Sequence, residues 1–422
     1  MTRHATSVCK LLFSVLLTMS ASLLGAASGA AAESAPKPAI TRVSQKPALA
    51  AKTTVSAENR LIEVYRLVGA GQRGEALAKA TRLVHDHPNF QLAQLVYGDL
   101  LMAQARPLRA LGDVPEAMAQ AGGPVLADLR EESRQRLKAL RERPPAGSIP
   151  SQFLVLLPRN RHAIAVDTSR SRLYLFENSG AGPVLVADYY VSVGKSGTEK
   201  SSEGDARTPL GVYFITGSVN PKSLKDLYGS GALPINYSNM LDAKRGKTGG
   251  GIWLHGTPAG QFSRAPLSTD GCVALANPDL DQIVSTVEIR TTPVVISTQL
   301  QWVAPHSVRA QSKSFEDTLK AWHSAKASGN LERVPDFYTR DFTSYGKTLA
   351  EWTPTLRDEV KKFKNRPVAL TDVSLLQWSD SAETMVVTFG EVAAGAASGP
   401  TIRQYWVRES QQWKIFFEGV IG

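Results

Sequence analysis

The chain has 422 residues, of which 43% are hydrophobic, and a formal net charge of +10. That length exceeds one ordinary core and predicts two or three domains, while the hydrophobic share is that of a globular protein rather than a disordered tail. The basic excess favours an anionic surface such as cell wall or lipid headgroups, and no basic run interleaved with aromatics is present, which excludes nucleic acid as a partner.

Arg3 and Lys10 precede an apolar run over 11–24, and Ala30, Ala31 and Ala32 lead to Glu33. A basic start, a short apolar stretch and an A-x-A end predict a secretory signal peptide over 1–32, cleaved near Ala32, because the run falls short of the ~20 residues a spanning helix needs. The mature protein is therefore expected in the periplasm. Cleavage removes Arg3 and Lys10, which takes the formal charge to +8, and removes Cys9, which leaves Cys272 as the only cysteine. An odd thiol in an oxidising compartment is buried and inert, joined to another chain, or reactive.

Residues 33–56 are rich in Ala, Pro, Ser, Thr and Lys without apolar periodicity and read as a flexible linker. A helical domain is predicted over 57–145, where Leu61, Val64, Tyr65 and Val68, then Leu77, Ala80, Leu83 and Val84, keep a helical period. Gly74, Ala76, Ala80, Pro88 and Ala93 resemble the small residues and closing proline of a tetratricopeptide hairpin. Little more than one repeat is covered, and one unit cannot bury its apolar face alone. Packing on the next domain and homodimerisation through these N-terminal helices are both open.

Pro144 and Pro145 end the helical pattern, and a mostly-β domain is predicted over 152–299. Its strands fall at 163–167 and 172–176 around a turn, then at 184–193, 211–216, 251–255 and 293–297. An α+β domain follows over 312–422. An amphipathic helix with Phe315, Leu319, Trp322 and His323 opens it, Leu331, Val334 and Phe337 continue the apolar pattern, and strands come at 368–376, 384–389, 401–408 and 413–418.

Two segments of the β domain carry chemistry: an apolar stretch through Trp253 and Leu254 to His255, Gly256 and Thr257, and the loop Ser268, Thr269, Asp270, Gly271, Cys272. A thiol with a pKa near 8.5 is a poor nucleophile until deprotonated, and a positioned imidazole supplies the base. His255 is the candidate base for Cys272 as nucleophile. A tight turn at Gly271 can aim its own N–H and that of Cys272 at one point, as an oxyanion hole requires. Gly256 lets its carbonyl approach the second ring nitrogen of His255 and fix the tautomer, as the third member of a triad does. His85 and His87 flank Asp86 at a helix end without a ligand set, and His162, His306 and His323 are isolated, so neither metal nor cofactor is expected.

Together the two segments resemble the catalytic signature of the L,D-transpeptidases of YkuD type, in which a histidine ends one strand and a Ser/Thr-x-Gly-Cys loop follows. The stretch Thr208-Pro209-Leu210-Gly211-Val212-Tyr213 resembles the family's T-P-x-G-x-Y, so the likeness spans 154–297. It implies a β-sandwich-like domain acting on peptidoglycan stem peptides, with attack on the third residue of a tetrapeptide and release of D-alanine. Two departures stand out: Asp270 replaces the family's second histidine, and Ala274 replaces an arginine. Asp270 is left either to orient a substrate ammonium group or to cap the turn, with Ser268, Thr269 and Trp253 as the other expected substrate contacts.

The layout also resembles a narrower group, the cell-shape-determining L,D-carboxypeptidases, which join a helical dimerisation domain, this catalytic domain and a nuclear-transport-factor-2-like (NTF2-like) domain. In such a cone Trp322, Phe337, Tyr338, Phe342, Trp406, Trp413 and Phe416 are mostly core, with an unknown small ligand as the alternative. A transpeptidase is the first expectation, a carboxypeptidase that trims tetrapeptide to tripeptide the alternative, and a non-catalytic wall-binding scaffold the third. The residue types leave the acyl acceptor, the exact stem peptide, the oligomeric state and the cone's ligand open.

Overall fold

The computed structural model describes residues 56–156, 160–365 and 367–421. The signal peptide, Cys9 and residues 33–55 of the expected linker lie outside the described residues. Ser56 caps helix α1 (Ala57–Gly69) by accepting the Asn59 N–H on its side chain at 3.2 Å, which satisfies one of the amide donors a helix start leaves free. Helices α2 (Arg73–Asp86), α3 (Gln91–Met102), α4 (Glu116–Ala121) and α5 (Gly123–Arg141) follow. Leu61, Val64, Leu67, Ala76, Ala80, Leu83 and Leu92 form their core. Leu67, not Val68, takes the last buried place on α1, since a position three residues past Val64 lies as near the stripe as one four past it. Phe262 and Ala276 of the next domain complete this core. The single helical unit thus covers its apolar face by packing on its neighbour.

The chain then lays down β1 (Ile149–Pro150), β2 (Phe153–Val155), β3 (His162–Asp167), β4 (Arg172–Ser179), β5 (Gly182–Tyr190), β6 (Val193–Gly194), β7 (Gly211–Phe214) and β8 (Ala232–Pro234). The short helix α6 (Met240–Lys244) leads to β9 (Trp253–His255), β10 (Leu267–Thr269), β11 (Val273–Ala274), α7 (Asn277–Thr286), β12 (Pro293–Ser297) and β13 (Trp302–Val303). A five-stranded sheet has the order β5-β4-β3-β12-β7, with only β3 and β12 parallel. A smaller sheet, β8-β9-β11, shares a core with it through Ile164, Val166, Leu173, Leu254, Val273, Leu280 and Ile283.

Helix α8 (Pro305–Ala327), the hairpin β14 (Thr343–Ser344) and β15 (Lys347–Thr348), helix α9 (Leu349–Asn365) and strands β16 (Val368–Ser379), β17 (Glu383–Ala393), β18 (Thr401–Glu409) and β19 (Gln412–Val420) complete the chain. Their antiparallel sheet runs β19-β18-β17-β16-β2. The last strand comes from the segment before β3: Phe153 pairs with Leu376 and Val155 with Leu375. The sequence assigns this stretch to the β domain, but its Phe153 side chain belongs to the core that the C-terminal domain shares with the large sheet. Helix α9 is absent from the sequence reading; it holds Pro354, and Trp352, Leu356 and Val360 recur every four residues and are buried. Of the seven cone aromatics, Trp322, Tyr338, Phe342, Trp406 and Phe416 are buried core, and Phe337 and Trp413 pack against it half-buried.

The C-terminal domain also explains why the strands of the large sheet are apolar on both faces. Side chains alternate along a strand, so Ile164, Val166, Leu173 and Val294 face the small sheet while Ala163, Ala165, Tyr174, Phe176 and Val295 face the C-terminal core. Arg245 adds a bidentate ion pair to Asp380 at 2.5 and 2.6 Å.

Candidate active site

Strand β9 is the middle strand of the small sheet, and Leu254 at its centre is buried in the core. Alternation therefore turns Trp253 and His255 to the opposite face. His255 Nδ1 lies 2.6 Å from the Gly256 carbonyl oxygen. A carbonyl only accepts, so Nδ1 carries the proton and Nε2 keeps its lone pair. Burial of the ring pushes its pKa down to about 4, which makes it a neutral base at neutral pH. The Tyr228 ring meets it edge-on at 5.1 Å and also packs on the half-buried Trp253 at 4.9 Å.

Gly256 is held from the other side by Asn277, the first residue of α7. Its Oδ1 accepts the N–H groups of Ser230 and Thr257 at 3.0 Å each, and its Nδ2 donates to the Thr257 carbonyl at 2.9 Å. A Cβ on Gly256 would stand 2.0 Å from that Oδ1, which explains the glycine. Neither Asn277 nor Tyr228 is visible as a site residue in the sequence; Asn-Pro there reads only as a helix start.

Strand β11 runs parallel to β9, with Val273 opposite Leu254 and Ala274 opposite His255. Cys272, one residue earlier, comes alongside Trp253 on the face that carries His255. The partly exposed Sγ lies 3.6 Å from the Gly251 carbonyl oxygen. Burial raises the thiol pKa and Asp270 adds to it, while the Trp253 N–H, Lys200 and Arg264 oppose them. The resting pair is therefore a neutral thiol and a neutral imidazole.

The turn before the cysteine requires glycine on two counts. Gly271 has φ +122°, and a Cβ there would meet the Arg207 carbonyl oxygen at 2.7 Å. The Gly271 N–H, expected as an oxyanion donor, donates within the turn to Thr269 Oγ1 at 3.1 Å. The Cys272 N–H has no acceptor among the described residues and is the donor that remains.

The expected substrate contacts divide in the same way. Thr269 is buried, with its hydroxyl donating to the Cys272 carbonyl at 2.7 Å, and the Ser268 hydroxyl donates to the Ala265 carbonyl at 2.9 Å. Both hydroxyls close onto backbone of their own loop, as short hydroxyl side chains do. Asp270 is exposed and pairs with Lys195 Nζ at 2.7 Å, which holds its carboxyl below the usual range. Trp253 keeps part of its ring open beside Cys272. From the upstream motif, Thr208 accepts the Gly194 N–H at 2.8 Å and donates to the Gly271 carbonyl at 2.9 Å. The buried Lys200 is paired with Asp205 at 2.7 Å. Among the described residues no cluster of His, Cys, Asp and Glu could hold a metal ion.

A β-rich domain with a histidine ending one strand and a cysteine just before the strand parallel to it, joined to an α+β cone, defines a class. Residues 161–296 match the family of the L,D-transpeptidase catalytic domain, YkuD, and residues 314–419 match the Cds6 C-terminal NTF2-like domain. The chain carries a YkuD-type L,D-transpeptidase/carboxypeptidase catalytic domain followed by an NTF2-like domain, behind a helical segment. Two solved structures share this layout at the level of fold. Bd1075 of Bdellovibrio bacteriovorus has a TM-score of 0.55 and 23% identity, over 65% of this chain and 98% of its own. The helical cell shape determining protein Pgp2 of Campylobacter jejuni has a TM-score of 0.50 and 19% identity, over 68% of this chain and 99% of its own. No curated protein matches the chain by sequence.

Proposed function

We propose that the protein is an exported L,D-carboxypeptidase that trims peptidoglycan stem tetrapeptides to tripeptides in the periplasm, with Cys272 as nucleophile and His255 as base. The observation that carries this reading is the buried, neutral His255 ring, fixed through Nδ1 to the Gly256 carbonyl on the strand beside Cys272. As Sγ bonds to the carbonyl carbon of the third stem residue, its proton passes to His255 Nε2. Negative charge grows on the carbonyl oxygen and is met by the Cys272 N–H; such a donor contributes about 3–4 kcal/mol in known cases. When the C–N bond breaks, His255 returns the proton to the departing amine and D-alanine leaves. Water then adds to the thioester, gives a proton to His255, and the C–S bond breaks to restore the thiol and release the tripeptide.

Charge around the loop favours water over an amine as acceptor. Asp270, the loop's carboxylate, is held by Lys195, and the half-buried Arg264 adds a positive charge felt at the thiol. An incoming ammonium group meets no free anion on this loop, whereas water carries no charge to repel. The likeness of layout to Pgp2, a protein named for determining helical cell shape, supports the same choice and suggests wall trimming as the route to shape. The family's name leaves cross-linking by an amine acceptor as the second reading. Mature protein incubated with disaccharide tetrapeptide in ¹⁸O-water is expected to release D-alanine and a tripeptide carrying one ¹⁸O. Cross-linked dimer as the main product would establish the transpeptidase instead, and no product from intact protein would favour a scaffold.

A further inference from the structure

The loop over 256–266 leaves the catalytic histidine and returns to the strand that leads to the cysteine. Its ends are anchored within the catalytic domain. At the start Asn277 grips Thr257, and at the far end the hydroxyls of Tyr190 and Ser192 both donate to the Arg264 carbonyl at 2.9 Å. Its middle is anchored by the helical domain. The corner between α2 and α3 makes two hydrogen bonds of 3.0 Å: Phe262 N–H donates to the Asn89 carbonyl, and Asn89 Nδ2 donates to the Ala259 carbonyl. The Phe262 ring stacks on Phe90 at 4.3 Å with 25° between planes, and His87 meets it edge-on at 5.4 Å. From α5, Glu132 accepts the Ser263 hydroxyl at 2.7 Å.

We propose that the helical domain is a positioning part of the catalytic centre: its Asn89–Phe90 corner latches Phe262 and so holds the loop that sets the Gly256 carbonyl against His255. The contacts form a continuous path. Phe262 is fixed by Asn89 and Phe90; the Thr257 hydroxyl donates to the Gln261 carbonyl at 2.8 Å, which closes the turn; Thr257 follows Gly256 directly; and the Gly256 carbonyl orients the ring. Loss of the latch frees the turn and lets that carbonyl withdraw, so the ring loses its fixed tautomer while the groups that would hold substrate stay in place. This inference rests on the reading of His255 and Cys272 as the reacting pair and assigns the helices a task separate from dimerisation.

The test uses the full mature chain. Phe262→Ala is expected to lower kcat about 10-fold with KM within about twofold, since small misplacements of reacting groups are costly. Asn89→Ala, which removes one hydrogen bond at a half-buried corner, is expected to lower kcat about threefold, and Phe262→Leu to keep most of the activity. NMR titration of His255 reads the latch without turnover: the Gly256 carbonyl raises the ring pKa against burial, so in Phe262→Ala the pKa should fall below about 4 and the Nδ1–H tautomer should give way to a mixture. Wild-type kcat and an unmoved titration in Phe262→Ala and Asn89→Ala would overturn the latch. Losses in all three variants that merely track the fraction of folded protein would do the same. If Phe262→Ala does not fold, Asn89→Ala decides by the same two readouts. A wild-type protein that releases no D-alanine refutes the proposed function, and the titration still judges the latch.

Discussion

Acidification should expose the state of His255 as a stability difference. The folded ring has a pKa of about 4 because it is buried, 2% exposed, while the unfolded ring titrates near 6.5. Between these values the unfolded chain binds a proton that the folded chain refuses, so stability falls as pH drops through the window and is unaffected by this group above 6.5. Full separation of the two values corresponds to about 3 kcal/mol, and at about pH 4.5 the loss is about 2.5 kcal/mol. Asp279 titrates in the same range with the opposite sign. Burial, aided by Glu58, lifts it to about 7, so acid relieves a penalty there. The measurement is therefore a difference: urea unfolding of wild type and of His255→Asn at pH 7 and at about pH 4.5, where the Asn amide can still donate to the Gly256 carbonyl from the place of Nδ1 and Asp279 cancels. Wild type should lose about 2 kcal/mol more than the variant on acidification. Equal losses would mean that the ring is already protonated or solvated in the folded protein, and the neutral-base mechanism would fall with it.

Gly271→Ala should lower kcat about 100-fold, because the new methyl meets the Arg207 carbonyl at 2.7 Å in a left-handed backbone and the cysteine must shift; a rate within threefold of wild type refutes this. Asn277→Ala should cost about 2–4 kcal/mol in denaturant unfolding, since it strands two N–H groups and one carbonyl, and kcat should fall with it as Gly256 is released. Lys195→Glu should free Asp270 and reverse the local charge, so the share of cross-linked dimer over tripeptide should rise severalfold in the product assay. An unchanged ratio would show that charge does not choose the acceptor.

The candidate site was legible in the sequence because its signals are local. Strand alternation ending in His255-Gly256 and a glycine-cysteine turn after Thr269 are patterns over a few residues, and the YkuD match covers both. The helices, the β domain and the α+β cone were legible from period and turn composition for the same reason. What the tertiary structure decided is how distant segments spend their hydrogen bonds. Only the folded turn shows the Gly271 N–H committed to Thr269 and the Ser268 hydroxyl closed onto Ala265. Only folding brings Asn277 to Gly256, Lys195 to Asp270 and Phe90 to Phe262, pairs separated by many residues whose types are ordinary on their own. Strand β2 shows the same limit: three apolar residues fit either neighbouring sheet, and the free edge of β16 claims them. A sequence shows which groups a chain owns, whereas donors, acceptors and apolar faces choose partners by proximity, and proximity between remote segments is set by packing.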